Sequence, residues 1–131
     1  MCGRYVIKSP SAKLKVKFRL DDVPLFKPRY NVAPTQAVPA VRDEDGKRRL
    51  AMLRWGLIPS WAKDAKIGYR LINARSDTVA TKPSFRSAFK KRRCLILADR
   101  FYEWKKLDKG KFPSIPQKET ATNDSNDFCW R

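Results

Sequence analysis

Residues 36–55 have the sequence QAVPAVRDEDGKRRLAMLRW, which carries the strongest structural signal in the chain. Two apolar-rich runs, 36–42 and 48–55, lie on either side of the polar segment 43–47. Gly46 lies in that segment and can adopt the positive φ that a tight turn between antiparallel strands requires. The pattern predicts a β-hairpin.

The segments before the hairpin are less regular. Residues 2–8 alternate and predict a short strand, and Ser9-Pro10-Ser11 ends that strand and offers a helix N-cap. Residues 12–20 alternate between apolar and basic side chains, which favours a strand. The spacing of Leu14 and Phe18 also allows a helix, so this segment stays ambiguous, with strand as the preferred interpretation.

The segments after the hairpin predict further short elements. Residues 55–61 form a loop with a tryptophan at each end, and 83–93 are typical of a short basic helix. Residues 94–98 predict a buried strand, and 101–105 alternate as another. Several short strands with few helices indicate an α+β domain with a mostly antiparallel β core and a few short helices.

The charge distribution points to a polyanionic partner. The chain has 131 residues and a net charge of +17. Residues 1–106 hold 26 basic and 9 acidic side chains, whereas residues 107–131 hold four of each. A domain this basic repels itself unless a polyanion balances it, and nucleic acid fits best because its phosphates release counterions on binding. The longest apolar run, 94–98, is too short to cross a bilayer, so we expect no membrane partner.

The chain has no histidine, and this absence excludes several kinds of site. Ser-His-Asp and Cys-His catalysis and histidine-ligated zinc are ruled out within this chain. Its three cysteines, Cys2, Cys94 and Cys129, fit neither a disulfide framework nor a C-x-x-C metal knuckle. We expect no metal, no cofactor and a reducing, cytoplasmic setting.

Cys2 directly follows Met1, which methionine aminopeptidase removes before small residues. A mature chain that begins with Cys2 carries an α-amine of pKa about 8 beside a thiol of pKa about 8.5. Such a 1,2-aminothiol condenses with aldehydes: the amine forms an imine, and the thiol then adds to the imine carbon to close a thiazolidine ring. Arg4 would favour the thiolate. Position alone leaves an incidental second residue as the alternative.

Five segments of the sequence together resemble one known family, the SOS-response-associated peptidase (SRAP) family. They are Met1-Cys2-Gly3-Arg4-Tyr5, Arg29-Tyr30-Asn31-Val32-Ala33-Pro34, Arg54-Trp55-Gly56-Leu57-Ile58-Pro59-Ser60-Trp61, Asn73-Ala74-Arg75-Ser76-Asp77-Thr78 and Ala98-Asp99-Arg100-Phe101-Tyr102-Glu103-Trp104. The resemblance implies a SRAP-like fold and a protein that shields abasic sites in single-stranded DNA through a covalent bond from its N-terminal cysteine. It implies a role in DNA damage repair and the SOS response, and we expect a monomer associated with the nucleoid through DNA.

The resemblance also assigns two catalytic positions besides Cys2. Glu103 matches the family's active-site glutamate; its place between Tyr102 and Trp104 is expected to raise its pKa, so that it serves as acid and base while the deoxyribose opens. Asn73 matches the active-site asparagine and would hold the sugar or orient the amine. From the residues alone, a strand ion pair for Glu103 and a turn role for Asn73 stay open.

Four residues are candidates for DNA binding. Arg4 and Arg75 would grip phosphates that flank the lesion, with a surface ion pair from Arg75 to Asp77 or Asp99 as the alternative. A tryptophan face can stack on a base or fill the gap of a missing one. We favour a core position for Trp55 and a DNA contact for Trp61.

The sequence departs from the family in its last part. A full member continues beyond the Phe-Tyr-Glu-Trp region with more strands and an active-site histidine. We therefore interpret residues 1–106 as the N-terminal part of a SRAP-like domain and 107–131 as a divergent, poorly ordered tail of a truncated copy. Without this histidine, we expect crosslink reversal and strand-cleaving lyase activity to be the activities most affected. Condensation of cysteine with an aldehyde requires the fewest additional catalytic groups.

Three alternative functions remain open at this point. One is a thiol peptidase that acts on its own N-terminus or on other proteins, and it is weakened because the chain lacks the usual histidine base. Another is a single-stranded nucleic-acid-binding module without chemistry, held by charge and stacking. The last is an inactive remnant that does not fold.

Overall fold

The structure, a computed structural model, describes residues 3–107, 110–114 and 128–130. Two α-helices are described, α1 (Ser11–Phe18) and α2 (Arg86–Lys91), with a 3-10 turn at Ala65–Tyr69. The strands are β1 (Tyr5–Ile7), β2 (Arg29–Val32), β3 (Ala37–Glu44), β4 (Lys47–Arg54), β5 (Arg93–Ile96), β6 (Arg100–Phe101), β7 (Glu103–Leu107), β8 (Gly110–Ser114) and β9 (Phe128–Trp130).

These strands form three antiparallel sheets. The N-terminal sheet has the order β2-β1-β6, and the hairpin sheet has the order β4-β3-β5-β9. Strands β7 and β8 form a separate two-stranded ribbon. The predicted α+β class with a mostly antiparallel core and short helices is confirmed.

The hairpin predicted over residues 36–55 is confirmed. Strands β3 and β4 pair without interruption from Ala37 opposite Arg54 to Glu44 opposite Lys47. Asp45 and Gly46 have φ values of 54° and 76°, as a two-residue turn with two left-handed positions requires. The Gly46 amide donates to the Asp43 carboxylate over 3.0 Å, so local chemistry alone fixes this turn.

The strand preferred for residues 12–20 is wrong, because this segment forms α1. Leu14 is buried and Phe18, one helical turn later, is half-buried, whereas Val16 is 80% exposed. Arg19 then takes a left-handed conformation (φ 54°) that ends the helix and turns Leu20 into the core. The i, i+4 pair Leu14 and Phe18 therefore forms the buried face of the helix. The basic residues that alternate with the apolar ones lie on its exposed side.

Neither serine of Ser9-Pro10-Ser11 caps α1, contrary to the prediction. The N-cap residue is Pro10, and no side chain closes the helix start. The Ser9 hydroxyl donates to Asp99, and the Ser11 hydroxyl donates to the Pro24 carbonyl over 3.0 Å. These hydroxyls connect the start of α1 to segments that are distant in the sequence, and the spacing of the serines does not predict such contacts.

Three buried clusters hold the described elements together. The first joins β1, α1, β2 and the hairpin and contains Tyr5, Ile7, Leu14, Leu20, Val32, Val38, Val41, Trp55 and Leu97. The second lies under α2 and contains Leu57, Val79, Phe85 and Ala88. The third is formed within the hairpin sheet by Ala40, Leu53 and Cys94. Burial of this apolar surface supplies the main stabilising free energy of the fold.

A close contact between two glycines shapes the loop that follows β4. Gly56 has φ of +122°, and a Cβ placed on it would lie 2.5 Å from the Gly68 carbonyl oxygen. The next residue, Leu57, donates its amide to the Leu71 carbonyl over 3.0 Å. Only glycine fits at position 56, so this contact fixes the course of the loop that leads to Asn73.

The later predicted elements are largely confirmed, with shifted boundaries. The helix expected within 83–93 is α2, and the strand expected over 94–98 is β5. The strand expected over 101–105 is divided between β6 and β7.

The division of the chain at residue 106 and the order of its tail stay predictions, and much of that tail lies outside the described residues. Within the described part, Cys129 lies opposite Cys94 in the register of β9 and β5. The sequence analysis had identified no partner for Cys129.

Candidate active site

The candidate site forms where β1 begins. Gly3 is the first described residue, and Arg4 follows it directly before β1. The Arg4 carbonyl accepts a hydrogen bond of 2.9 Å from the Tyr102 amide. Tyr102 lies between β6 and β7, so Glu103 comes immediately after the residue that is bonded to Arg4. The fold thus brings Arg4 and Glu103, 99 positions apart in the sequence, to the same end of the N-terminal sheet.

Two side chains brace this end of the sheet. Arg4 donates from Nη1 to Oδ1 of Asn31 over 2.9 Å. The Tyr102 hydroxyl donates to the Tyr30 carbonyl, also over 2.9 Å. Both bonds reach β2. The bond from Tyr102, which directly follows β6, connects β6 to β2, the two strands that flank β1. Tyr102 was quoted only as part of a motif in the sequence analysis, and its bracing role was not predicted.

Cys2 lies outside the described residues. It is covalently bonded to Gly3, which places it next in the chain to the braced end of β1. Its roles as the first residue of the mature chain and as the nucleophile stay predictions.

Asn73 is connected to β1 through Trp55. The Trp55 indole donates from Nε1 to the Ile72 carbonyl over 2.9 Å. Its ring also packs against Tyr5 of β1, with centroids 5.5 Å apart. Asn73 follows Ile72 and is half-buried. The indole therefore fixes the backbone that carries Asn73 relative to the start of β1.

The two tryptophans of the 55–61 segment have opposite environments. Trp55 is 6% exposed and belongs to the core, as favoured, so its ring offers no open face to a base. Trp61 is 58% exposed and is available for stacking. The DNA contact predicted for Trp61 stays a prediction. Trp55 instead stabilises the site through its contacts with Ile72 and Tyr5.

Arg75 forms the surface ion pair that the sequence analysis kept as its alternative. Its guanidinium donates to both carboxylate oxygens of Asp77, with Nη2 2.8 Å from Oδ2. These hydrogen bonds lower the pKa of Asp77 below its ordinary value. Both side chains are largely exposed, so the pair adds little stability, and the phosphate contact of Arg75 stays a prediction.

Asp99 anchors the other end of β1. Its Oδ2 accepts from the Lys8 amide over 2.6 Å and the Ser9 amide over 2.8 Å, and its Oδ1 accepts from the Ser9 hydroxyl. Burial alone would raise the pKa of Asp99, but these hydrogen bonds, led by that from Ser9, hold it below the ordinary value. The sequence analysis considered Asp99 only as an ion-pair partner of Arg75, and its role as an anchor of β1 was missed.

Cys94 is chemically quiet, as predicted. Its thiol is buried, and burial raises its pKa to about 11 although Arg42 acts in the opposite direction. It is therefore protonated at neutral pH. In the described part of the chain, no group of three or more acidic or cysteine side chains is arranged to hold a metal ion. Helices in that part are all too short and polar to cross a membrane.

Comparison with known proteins gives this site its context. The family model of the SOS response associated peptidase (SRAP) matches residues 1–124. This chain belongs to the SRAP family. The match includes all five segments that carried the resemblance and extends past residue 106.

Curated relatives of this SRAP chain share one description. Abasic site processing protein YoaM of Bacillus subtilis is 48% identical over 117 residues, which cover 86% of this chain and 52% of the relative. Abasic site processing protein HMCES of Xenopus tropicalis is 37% identical, covering 85% of this chain and 39% of the relative. The chain spans about half the length of the bacterial relative.

Solved structures agree on the fold. A protein from Bacteroides thetaiotaomicron superposes with a TM-score of 0.74 at 22% identity, covering 90% of this SRAP chain and 56% of the other. A phage-related protein from Bordetella bronchiseptica gives a TM-score of 0.67 at 29% identity, covering 87% and 54%.

Proposed function

We propose that this SRAP chain captures abasic sites in single-stranded DNA by a covalent bond from Cys2, once Met1 has been removed. Its curated relatives are described as abasic site processing proteins, at up to 49% identity. The net charge of +17 supports a polyanionic substrate. The chemistry assigned to Cys2 is the condensation of a 1,2-aminothiol with the aldehyde of the opened sugar.

The observation that carries this proposal is the hydrogen bond between the Tyr102 amide and the Arg4 carbonyl. It holds the segment that follows Cys2 beside the segment that carries Glu103. The described segment that begins at Gly3 and the segment that carries Glu103 are thereby held side by side, and this supports a shared role for Cys2 and Glu103. Proton transfer to and from a reacting group needs such proximity.

The proposed reaction has two stages and releases one water. The Cys2 amine attacks the sugar aldehyde, and the resulting hydroxyl takes a proton and leaves as water, so that an imine forms. The thiol then adds to the imine carbon, its proton passes to the nitrogen, and the thiazolidine ring closes. Glu103 would supply the proton in the first stage and relay the thiol proton to the nitrogen in the second. Asn73 would orient the sugar through its amide.

Three exposed or partly exposed side chains would bind the rest of the strand. Arg4 and Arg75 carry their charges at the surface and are suited to phosphates on either side of the lesion. Trp61 offers an open ring to a neighbouring base or to the gap left by the missing one.

The test uses the full chain and a single-stranded oligonucleotide that carries one abasic site. Intact mass of the purified protein shows whether Met1 is absent. After mixing, we expect an adduct that survives SDS and heat without a reducing agent, with the mass of protein plus DNA less one water. Cys94→Ala is the matched control and should form the adduct at the normal rate, because the buried thiol is not the nucleophile.

Substitutions at Cys2 separate the two stages. Cys2→Ala keeps the amine and loses the thiol, so only an imine that borohydride traps should remain. A stable adduct formed by Cys2→Ala, or a retained Met1 in an active protein, would contradict the proposal.

Binding without chemistry is a second candidate, and the excess positive charge favours it. It predicts steeply salt-dependent binding to intact single strands and no covalent product from abasic DNA in any variant. The mass measurement described above distinguishes the two functions directly.

A further inference from the structure

A basic groove runs along α2, on a part of the molecule that the proposed chemistry does not use. It has a volume of about 590 Å³ and is open to solvent. Four cationic side chains line it: Arg86, Lys90 and Lys91 from α2, and Arg93 from the start of β5. Ala80, Ser87 and Phe89 complete the lining. Among the described residues, none that lines the groove is acidic.

These four cations have no carboxylate partner among the described side chains. The ion pairs found there are Arg42–Glu44, Arg49–Glu44 and Arg75–Asp77. Arg86 and Lys90 are separated by four positions and so repel each other on one helix face. Arg86 also lies in the first turn of α2, where the helix dipole disfavours a cation.

The helix does not depend on these charges for its stability. Phe85 and Ala88 are buried against Leu57 and Val79, and Phe89 packs on the same cluster. This apolar face supplies the packing that a six-residue helix needs. The clustered cations therefore cost folding free energy through mutual repulsion, and a bound polyanion would remove that cost.

We propose that the α2 groove binds the sugar-phosphate backbone of the DNA strand that continues beyond the abasic site. This inference rests on the proposed function, because it takes DNA as the substrate. In the proposed complex the four cations would pair with phosphates, and the partly exposed Phe89 side chain would contact a deoxyribose. Because these contacts involve phosphates and sugars but no base edges, we expect the groove to bind single strands regardless of their base sequence.

The groove is fixed relative to the candidate active site by a short, rigid connection. Leu57, in the cluster under α2, bonds through its amide to the Leu71 carbonyl over 3.0 Å. Asn73 lies two positions beyond Leu71, and Trp55 lies two positions before Leu57. One buried cluster thus supports α2 and, through Leu57 and Leu71, the segment that leads to Asn73.

The experiment measures binding of a fluorescent, undamaged single-stranded oligonucleotide of about 20 nucleotides as a function of salt. The variant is Lys90→Gln with Lys91→Gln, which keeps helix propensity and removes two charges. The matched control is Lys15→Gln with Lys27→Gln, which removes two exposed charges elsewhere.

We expect the slope of log K against log salt to fall by about 1.4 in the α2 variant, at about 0.7 per phosphate contact. The dissociation constant near physiological salt should rise about tenfold. The control should keep the slope of the unmodified chain.

A further variant protects the test from misfolding of α2. Arg93→Gln lies on β5, outside the helix, and should lower the slope by about 0.7. Slopes equal to that of the control in both α2-groove variants would overturn the proposal. The same variants are also tested for binding to vesicles of anionic lipid. If they lose binding to the vesicles and keep their binding to DNA, the proposal is overturned as well.

Failure of this inference can be told apart from failure of the proposed function. With protein in large excess over an abasic oligonucleotide, the yield of adduct reports the chemistry and not the affinity, so Lys90→Gln with Lys91→Gln should reach the adduct yield of the unmodified chain. Cys2→Ala should keep the full salt slope and lose the adduct. A slope change without any adduct would support the groove and refute the covalent chemistry.

Discussion

The N-terminal sheet and the hairpin sheet are held together in different ways. The hairpin sheet is built on two eight-residue strands joined by a two-residue turn, paired in register along their whole length. The N-terminal sheet joins three strands of two to four residues from distant parts of the sequence. Side-chain bonds from Arg4, Tyr102 and Asp99 brace it. The scaffold is thus stabilised by local pairing and burial, and the candidate chemistry lies where polar contacts set the geometry.

The largest effect is expected just after the hairpin sheet, at Gly56, where the chain contacts Gly68 of the 3-10 turn. Gly56→Ala places a methyl group 2.5 Å from the Gly68 carbonyl oxygen at a φ of +122°. We expect a loss of about 3 kcal/mol or more in the free energy of unfolding, enough to unfold much of the protein. Chemical denaturation followed by circular dichroism measures this loss.

The control for this prediction is Gly46→Ala in the hairpin turn. Its φ is +76°, but nothing lies within 4 Å of the added methyl group. It should cost only about 1 kcal/mol. Equal costs at the two glycines would show that the contact with Gly68 is not rigid.

An intermediate effect is expected from Trp55→Phe. The change removes the bond to the Ile72 carbonyl and leaves a small cavity beside Tyr5. We expect a loss of about 2 kcal/mol in unfolding free energy, together with slower adduct formation, because the segment that carries Asn73 loses its support.

Trp61→Phe is the matched change at an exposed ring and should leave thermal stability unaltered. Equal destabilisation by the two substitutions would mean that Trp61 is packed in solution. That outcome would remove the basis for its proposed role in stacking.

The smallest effect of the three concerns a carboxylate in each region. Asp99→Asn removes the charge that accepts two amides and a hydroxyl at the end of β1, and should cost about 1–2 kcal/mol. Glu44→Gln, near the hairpin turn, removes two partly exposed ion pairs, with Arg42 and Arg49, and should cost less than about 1 kcal/mol.

Acid titration checks the role of Asp99 independently. Its pKa is lowered in the folded state, so its contribution is fully present above about pH 4, the unfolded value. It is lost as the pH falls through the lower folded pKa. Unfolding free energy measured between pH 5 and pH 2 should therefore fall more steeply for the unmodified chain than for Asp99→Asn. Parallel curves would contradict the assignment.

The parts of the fold that follow local rules could be predicted from the sequence. The hairpin follows from Gly46 and its flanking apolar runs, and the burial of Cys94 follows from its apolar neighbours. The α1 segment could not be assigned, because strand alternation and helical spacing coexist in it. Only the core that accepts Leu14 and Phe18 decides between them.

The candidate site could be predicted in its residue types but not in its geometry. Resemblance assigned Asn73 and Glu103 to one active site with Cys2, and the structure ties Arg4 to Tyr102, the residue before Glu103. The bracing by Asn31 and Tyr102 and the anchoring by Asp99 depend on contacts between segments up to 91 positions apart. No spacing in the sequence signals such contacts, because they arise only once the sheet has formed.

The tight turn at the tip of the β3–β4 hairpin has a practical consequence for handling the protein. A polypeptide whose reactive group is its own first residue cannot carry a purification tag there without losing that group. Residues 45–47 are exposed, and their backbone conformation is set by the turn itself. A dye or affinity peptide inserted at this tip would leave the first residue of the chain unmodified, so that its proposed chemistry can be tested.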